Sequence, residues 1–399
     1  NSILPLANPS LAPIANTSAG RNYTLDSNMW SVFFQGNFHV NDDLTVTAGA
    51  RYTSEKKDGH REINIRELAN STIGSGDIVS DPTAAILYDV GFAIQNEQSP
   101  LSPEGHNLTN ARDESSFTPL INVQYTINRD VMTYISASTG FKAGGFDARG
   151  NNIGSWEFEE EEATSYEYGI KSSLFDNTLE VNLAIYRTEY DNLQISQFDG
   201  TLGFNVGNAK ETLVQGLEVD GRWLVLDSNA GTLTMNYAFA YLDHEFKDFK
   251  NGNCYNRQVP DGDIGPGDVQ LCDFTGKSGQ YTPKFTTTLG FDYFKSISFL
   301  GFEYFRANLG FYYASEQNVH PNLDPLYDID AYIKINARIA LEAENWSIAL
   351  FGRNLTDEKV LTYAGNAPLS GSSFGTNTFY GFVDRPATIG LQVQYDFSD

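Results

Sequence analysis

The sequence predicts an all-β fold, an antiparallel transmembrane β-barrel of which about 13 strands are present. Three observations support this prediction. Apolar and polar residues alternate along many segments, short and long connections alternate between those segments, and the chain holds 27 Phe and 22 Tyr. Alternation with a period of two is typical of strands with two different faces. An excess of aromatic residues suits strands and the interface girdles of membrane barrels.

The clearest hairpin lies between Tyr166 and Tyr190. Its first segment, YEYGIKSSL, ends at Leu174, and its second, LEVNLAIYRTEY, begins at Leu179. Apolar residues occupy alternate positions of the second segment, and polar residues occupy many of those between. The sequence Asp176-Asn177-Thr178 has the residue types of a tight turn. The sequence therefore predicts two strands with one apolar and one polar face.

The other strands follow the same pattern along the chain. The predicted strands are 28–40, 44–56, 117–127, 131–141, 166–174, 179–190, 211–225, 232–242, 285–294, 302–313, 332–341, 346–356 and 388–397. We expect residues 1–27 to be the remnant of an extracellular loop, residues 28–397 to form the barrel, and residues 398–399 to be a tail. Residues 57–112 are predicted to be irregular.

The lengths of the connections indicate how the strands lie in a membrane. Long connections alternate with short turns, and the short turns are predicted at Asn41, Asn128, Asp176, Asp227, Ser296 and Glu344. Short periplasmic turns and longer extracellular loops are typical of outer-membrane barrels. On this reading the last strand runs inward and the C-terminus is periplasmic. A soluble β-sandwich or propeller is the alternative, although neither requires this alternation.

Composition narrows the possible partners. The net charge of -25 and the pI near 4.4 argue against nucleic acid, because phosphates require a basic surface. Cations, outer-membrane lipid or a metal-bridged lipopolysaccharide surface are easier partners. The chain contains no run of about 18 apolar residues, so a spanning helix is not predicted. The residues after Asn1 show no signal peptide, and we expect sequence upstream to be missing.

Five segments resemble the C-terminal barrel of TonB-dependent outer-membrane receptors. They begin with YISASTGFKAGGFDARG, end with RPATIGLQVQYDF, and occupy residues 134–150, 165–194, 205–223, 351–363 and 385–397. The resemblance implies a barrel of about 22 strands filled by an N-terminal plug. This chain would be its C-terminal part. The plug and the TonB box, which contacts the TonB complex, would lie upstream.

The resemblance also implies a function. Receptors of this family import a scarce small-molecule cargo across the outer membrane of Gram-negative bacteria with energy supplied through TonB. A ferric siderophore is the commonest cargo, and carbohydrate, haem or cobalamin are alternatives. A passive porin-type channel is a second hypothesis, distinguished by the absence of a plug. An outer-membrane enzyme would need a lipid-facing Ser/His pair, which the sequence does not indicate, so we expect no enzyme.

Two sets of loop residues are candidates for covalent and metal chemistry. Cys254 and Cys272 lie in one polar segment and are predicted to form a disulfide in an oxidising compartment. Between them, Asp261, Asp263 and Asp268 resemble part of a calcium loop, although the EF-hand spacing is incomplete. A loop-bound divalent cation is therefore a hypothesis, and no other cofactor is expected.

Loop aromatics are the candidates for contacts with the ligand. We expect these side chains to face the mouth of the lumen, and the candidates are Phe92, Tyr255, Phe274, Tyr327 and Phe379. The glutamates at 157 and 159–162 are interpreted as a solvated loop face. Phe141 and Phe146 flank a Gly-rich bend and are predicted to anchor the chain at the membrane interface.

Overall fold

The structure is a computed structural model that describes residues 17–67, 83, 106–149, 156–198, 204–265, 269–367 and 378–397. Within this part of the chain the strands are β1 (Thr17–His39), β2 (Leu44–Glu67), β3 (His106–Asn128), β4 (Val131–Lys142), β5 (Gly145–Phe146), β6 (Glu157–Phe158), β7 (Glu161–Leu174), β8 (Leu179–Phe198), β9 (Phe204–Ser228), β10 (Gly231–Asp248), β11 (Ile264–Gly265), β12 (Val269–Gln270), β13 (Phe285–Phe299), β14 (Phe302–Ala314), β15 (Gln317–Asn318), β16 (Asp328–Ile329), β17 (Tyr332–Glu342), β18 (Trp346–Arg353), β19 (Leu361–Asn366), β20 (Phe379–Val383) and β21 (Thr388–Tyr395).

The long strands form one sheet of 13 strands in the order β1-β2-β3-β4-β7-β8-β9-β10-β13-β14-β17-β18-β21. Every neighbouring pair is antiparallel and consecutive among the long strands. The short strands pair with each other within the long connections. This meander confirms the predicted all-β antiparallel fold.

The register aligns apolar side chains across the sheet at the same height. On the last strands, Ile339 pairs with Leu350, and Leu350 pairs with Leu391. These side chains are 49%, 47% and 67% exposed, respectively. Large apolar side chains with so much free surface need a cover, and the period-two arrangement is that of the lipid-facing side of a membrane barrel. We call this side the apolar face.

The opposite side of the sheet carries a polar network. Asp292 accepts a hydrogen bond from Asn236 Nδ2 at 2.8 Å and another from Asn308. Asn182 Nδ2 donates to Asp220 Oδ2 at 3.0 Å on neighbouring strands. Polar side chains therefore line the side that becomes the interior when the sheet curves into a barrel.

Aromatic pairs lie near both edges of the apolar face. Trp346, 39% exposed, pairs across strands with Tyr395, 55% exposed, beside a short turn. Trp30 and Tyr52 are 5.4 Å apart, farther toward the long connections. Amphipathic rings at two heights are the usual girdles of a membrane barrel.

Several strands extend beyond their predicted ends. Strand β1 begins at Thr17, so residues 17–27 are strand rather than loop, and residues 1–16 lie outside the described part. Strand β2 continues to Glu67, well past the predicted end at residue 56. A crossing needs only about 9–11 residues. The extra residues extend the strands at the end of the sheet that has the long connections. Both faces of the strands are polar there, so the alternation of apolar and polar residues does not mark them as strands.

One predicted turn is misplaced. The turn expected at Ser296 lies at Leu300 and Gly301, because β13 continues to Phe299. Both turn residues have a positive φ, 52° and 83°. Such a conformation favours glycine, which explains why the chain reverses there. In the described part of the chain, no helix has the length and apolarity needed to cross a bilayer.

Candidate ligand site in the long loops

The long connections meet at one end of the sheet, because in an antiparallel meander every second connection lies at the same end. Two of them pack against each other there. The first runs from 249 to 284 between β10 and β13, and we call it the disulfide loop. The second runs from 315 to 331 between β14 and β17, and we call it the His320 loop. Both pack against the ends of β8 and β9.

The disulfide loop has its own apolar core. Cys254 and Cys272 are bonded, with Cα atoms 5.1 Å apart, and the backbone of Gly252 pairs with that of Cys272. Phe249 contacts both Phe246 and Phe274, with centroid distances of 4.9 and 5.4 Å. A Cβ atom at Gly252 would lie 2.3 Å from the Phe274 ring, so this position requires glycine.

Asn322 joins three chain segments. Its side chain is 1% exposed. Asn322 Oδ1 accepts from the Phe198 amide at 2.9 Å, and Nδ2 donates to the Phe198 carbonyl at 2.8 Å and the Cys254 carbonyl at 3.3 Å. One amide thus satisfies backbone groups at the end of β8 and in the disulfide loop. Buried backbone groups without partners are costly, so this side chain fixes the loops together.

His320 and Tyr327 form a buried stack in the His320 loop. Their ring centroids are 4.9 Å apart with an interplanar angle of 17°. His320 Nδ1 accepts from the Asn322 amide at 3.1 Å, and Tyr327 OH donates to Asn366 Oδ1 at 2.7 Å. Burial lowers the pKa of His320 to about 4, so the ring is neutral at pH 7. Burial also raises the pKa of Tyr327.

The glutamates after Trp156 are held by one arginine. Arg112 on β3 forms ion pairs with Glu157 at 2.5 Å, Glu159 at 2.6 Å and Glu160 at 3.2 Å, and with Glu114 on its own strand at 2.7 Å. Glu159 and Glu160 remain 61% and 41% exposed, as the interpretation of a solvated face requires, but both are also paired with Arg112. The ion pairs could not be predicted from the run of glutamates, because Arg112 lies more than forty residues away in sequence.

These glutamates belong to the connection between β4 and β7, and the start of that connection, at Gly144, is also held in place. Lys57 Nζ donates to the Gly144 carbonyl at 2.7 Å, and the Gly144 amide donates to Glu114 Oε2 at 3.0 Å. Phe146 stacks on Trp156 with centroids 5.2 Å apart, and both are buried. The predicted interface anchor at Phe146 is therefore a loop anchor, because its ring is buried against Trp156 rather than exposed at the rim of the apolar face.

A polar cavity of 680 Å³ lies among these loops. Its lining includes Gln197 at the end of β8, which is 3% exposed. Gln197 Oε1 accepts from the Asn253 amide at 2.7 Å, whereas Nε2 has no hydrogen-bond partner in the described part of the chain. The other lining residues are Glu157, Glu159, Asn192, Asn205, Val206, Gly207, Asn208, Lys210, Asp248, Lys250, Asn251, Asn253, Asp263, Ile264, Gly265 and Leu271.

The cavity lining has more negatively than positively charged side chains. Four carboxylates and two lysines contribute to it. Lys210 Nζ pairs with Asp248 Oδ2 at 3.2 Å, and Glu157 and Glu159 pair with Arg112 outside the cavity. Amide groups supply most of the remaining polar surface. The lining can donate and accept many hydrogen bonds but offers no excess of positive charge to an anion.

The structure brings together only two of the predicted ligand aromatics within the described residues, Tyr327 and Phe379, whose ring centroids are 6.1 Å apart. Phe274 is 1% exposed in the core of the disulfide loop, and Tyr327 is 4% exposed beneath Phe379. Both therefore differ from the predicted placement at the lumen mouth, because loop packing consumes their ring surface. Phe379 is 47% exposed and Tyr255 is partly buried. Phe92 lies outside the described residues.

Two of the three predicted cation ligands lie in the described part of the chain. Asp261 Oδ1 accepts from the Asp273 amide at 3.0 Å, and Asp263 lines the cavity. Asp268 lies outside the described residues. No group of three or more His, Cys, Asp or Glu side chains that could hold a metal occurs in the part of the chain that is described.

Sequence reasoning did not find Gln197, Asn322 or Arg112. Each acts on groups distant in sequence, and each lies in a segment without a local motif. The one available signal was compositional, since Asn and Gln are frequent in the polar ends of the predicted strands.

Comparison with known proteins identifies the family. The model for the β-barrel of TonB-dependent receptor-like proteins matches residues 4–355. The chain belongs to this family. Members of the family are outer-membrane proteins of Gram-negative bacteria. The recognition made from the five sequence segments is thus confirmed.

Individual relatives agree with the family assignment. The chain is 28% identical over 189 residues to a probable TonB-dependent siderophore receptor, PiuA of Acinetobacter baumannii, covering 45% of this chain and 24% of the relative. The crystal structure of PiuA matches with a TM-score of 0.61 at 17% identity, covering 94% of this chain and 44% of that chain. These values show a shared fold.

A second solved structure has the same architecture. The ferric yersiniabactin uptake receptor FyuA from Yersinia pestis matches with a TM-score of 0.66 at 12% identity. The match covers 95% of this chain and 47% of FyuA. The chain therefore spans about half the length of these structures.

Proposed function

We propose that this chain is the barrel part of an outer-membrane receptor that imports a ferric siderophore with energy supplied by the TonB complex. Family membership and the similarity to a siderophore receptor support this proposal. The observation that carries it furthest is the polar loop cavity, whose lining is rich in amide side chains. Amide groups around a concave site suit the carbonyl and hydroxyl oxygens of a polar chelate.

The charge of the cavity narrows the cargo class. Carboxylates outnumber lysines in the lining, so a complex with several negative charges is disfavoured. A ferric trihydroxamate is neutral or positively charged, whereas a ferric tricatecholate carries three negative charges. The proposal is therefore uptake of a neutral or cationic ferric chelate, and the reaction makes and breaks no covalent bond.

Uptake of radioactive iron tests this function. A deletion strain complemented with the complete gene is offered ⁵⁵Fe as ferrioxamine B or as ferric enterobactin. We expect at least fivefold more ⁵⁵Fe uptake from ferrioxamine B than in the deletion strain, and we expect a protonophore to abolish the gain. Uptake that persists with a protonophore would identify a passive channel. No gain with either chelate, but a gain with a sugar or haem, would overturn the iron assignment.

A further inference from the structure

Two histidines in the loop region accept hydrogen bonds from backbone amides of the long loops. Nδ1 of His244, near the end of β10, accepts from the Gly279 amide in the disulfide loop at 3.0 Å. Nδ1 of His320 accepts from the Asn322 amide in the His320 loop at 3.1 Å. A ring nitrogen accepts a hydrogen bond only when it carries no proton. Both hydrogen bonds therefore require a neutral imidazole.

The His244 ring is enclosed on two sides. It packs edge-on against Phe246, with centroids 4.9 Å apart, and a Cβ atom at Gly279 would lie 3.1 Å from its Cε1. His244 lies beyond the roughly 11 residues that β10 needs to cross the bilayer. Burial lowers its pKa below the ordinary value of 6.5, although the charge of Asp243 acts in the opposite direction. The pKa of His320, which is 1% exposed, is lowered for the same reason.

The segments held by the two histidines are joined directly to each other. Gln280 Nε2 in the disulfide loop donates to the Val319 carbonyl in the His320 loop at 2.8 Å, and the Tyr281 amide donates to the Asn318 carbonyl at 3.0 Å. Gln280 and Val319 are each a sequence neighbour of a residue in one of the two histidine hydrogen bonds. A change at either histidine therefore reaches both loops through adjacent residues.

Asn322 connects this arrangement to the polar cavity. Gln197 and Asn253 line the cavity and are hydrogen-bonded to each other. Each of them precedes a residue whose backbone is held by the Asn322 side chain. The Asn322 backbone amide is in turn the donor to His320. Loss of the hydrogen bond at His320 therefore loosens one wall of the cavity.

We propose that His244 and His320 hold the two long loops against the polar cavity at neutral pH and release them reversibly in mild acid. A proton on Nδ1 turns the acceptor into a donor, so two N–H groups then face each other where a hydrogen bond was. Because each folded-state pKa is below 6.5, the closed arrangement has its full stability above about pH 6.5 and loses it as the pH falls toward the lowered values. The loop movement does not depend on the cargo, whereas its effect on cargo affinity rests on the proposed function.

Other titratable groups surround the two histidines. Around His244 they are Asp243 on its own strand and Lys277 and Lys284 in the disulfide loop. Around His320 they are Asp324, Tyr327 and Asp328 in its own loop, Tyr281 in the disulfide loop, and Tyr363 and Tyr380 on β19 and β20. Lysines stay charged and tyrosines stay neutral between pH 5 and pH 7.5. The aspartates are present in every variant below, so a comparison of variants isolates the histidines.

Distances between spin labels on the two loops test the movement in the complete receptor, reconstituted in lipid bilayers. The labels are attached to Val259→Cys in the disulfide loop and Leu326→Cys in the His320 loop, at positions whose side chains are 81% and 59% exposed. The two native cysteines are bonded to each other and do not take a label. Double electron–electron resonance gives the distance distribution at pH 7.5, at pH 5 and after return to pH 7.5.

The test variant combines His244→Gln and His320→Gln, because glutamine offers an acceptor that does not titrate. His60→Gln is the matched control. His60 lies on β2 at the same end of the sheet, but its Nδ1 is hydrogen-bonded to the hydroxyl of Thr109 rather than to a loop amide. Heat-dependent migration on gels verifies that each variant is folded.

The wild-type distance distribution is expected to become at least twice as wide at pH 5 and to recover at pH 7.5. The double variant gives the same distribution at both pH values, and His60→Gln responds as the wild type does. An unchanged wild-type distribution at pH 5 overturns the proposal, and so does an equal response in the double variant. If the double variant does not fold, a full wild-type response in His320→Gln alone overturns it.

Binding of ferrioxamine B, measured by fluorescence quenching, separates this inference from the proposed function. Its Kd is expected to rise at least threefold more between pH 7.5 and pH 5 in the wild type than in the double variant. The amine of ferrioxamine B, like that of lysine, stays charged over this range. An equal rise in both proteins overturns the coupling to the cavity. Labels that move in a receptor that binds neither ferrioxamine B nor ferric enterobactin would refute the cargo and leave the loop movement standing.

Discussion

Asn322 shows how a single buried amide organises several loops. We predict that Asn322→Ala destabilises the contact between the His320 loop and the disulfide loop by about 2–3 kcal/mol. The reason is that the Phe198 amide and carbonyl lose their partner while remaining buried. Hydrogen exchange of residues 249–284 and 315–331 measures the effect. Asn345→Ala, at a short turn, is the control, and loop exchange as slow in Asn322→Ala as in this control would contradict the prediction.

A substitution at Gln197 tests whether the cargo binds in the loop cavity. Gln197→Leu keeps the volume and removes the Oε1 acceptor that holds the amide of Asn253 in the cavity lining. A lost hydrogen bond of about 1 kcal/mol corresponds to roughly fivefold weaker binding. Binding of ferrioxamine B, measured by fluorescence quenching, is expected to weaken by that factor. Gln394→Leu, on an exposed stretch at the opposite end, leaves it unchanged. Unaltered affinity in Gln197→Leu would place the cargo elsewhere.

His320 makes loop stability depend on pH. Its folded pKa is about 4 because burial disfavours the charged ring, whereas its ordinary value is 6.5. The unfolded loop therefore binds the proton more readily, and stability is complete above pH 6.5 and falls as the pH drops toward 4. At pH 5 the expected loss is about 2 kcal/mol.

Hydrogen exchange of residues 315–331, corrected for its intrinsic pH dependence, measures this loss between pH 7 and pH 5. His320→Gln is expected to reduce the pH dependence, while His39→Gln at a short turn keeps it. Buried Asp324 is nearby, and burial raises its pKa, but it is present in all three proteins. The difference between wild type and His320→Gln thus isolates the histidine. An identical pH response in those two proteins would contradict the assignment.

At the scale of residues, the sequence is informative about turns and much less about partners. The Asp176-Asn177 turn was predictable because both residues adopt a positive φ, 54° and 64°, which Asp and Asn tolerate. The roles of Gln197 and Asn322 were not predictable. Their hydrogen bonds join segments far apart in sequence, and an amide has no local pattern that distinguishes a surface position from a buried one.

At the scale of elements, the connection between β4 and β7 is fixed at both ends. Arg112→Gln is predicted to release it, because four carboxylates lose their common cation and then repel one another. We expect at least tenfold faster proteolysis between residues 143 and 160 in folded receptor, with other loops unchanged. Arg129→Gln, an exposed arginine at a short turn, is the control. Proteolysis at the wild-type rate in Arg112→Gln would show that the ion pairs do not hold the loop.

Strand cores were predictable and strand ends were not. Within the membrane one face must be apolar, so alternation marks each strand clearly. Above the membrane both faces meet water or loops, and strands such as β1 and β2 continue with polar residues on both faces. The pairing of Asp26 with Asp58 lies in this extension, where no apolar row reveals the strand.

At the scale of the whole molecule, the paired rows of apolar side chains define the lipid-facing side of the barrel. The register aligns them across the long strands, so a shift of one residue in any strand would turn its apolar row into the polar interior. This constraint explains why the fold class followed from the sequence alone. The cargo did not follow, because it depends on loop contacts that no periodic pattern encodes.

Spin-label accessibility along β21 tests the central claim most directly. Single labels are placed at Ile389, Leu391, Val393, Gln392 and Gln394 in the complete receptor reconstituted in lipid bilayers, and relaxation by oxygen and by a water-soluble nickel chelate is compared. Oxygen, which concentrates in the bilayer, is expected to relax the labels at 389, 391 and 393 most strongly, and the nickel chelate those at 392 and 394. Equal accessibility at neighbouring positions, or the inverse alternation, would contradict a barrel whose apolar face contacts lipid.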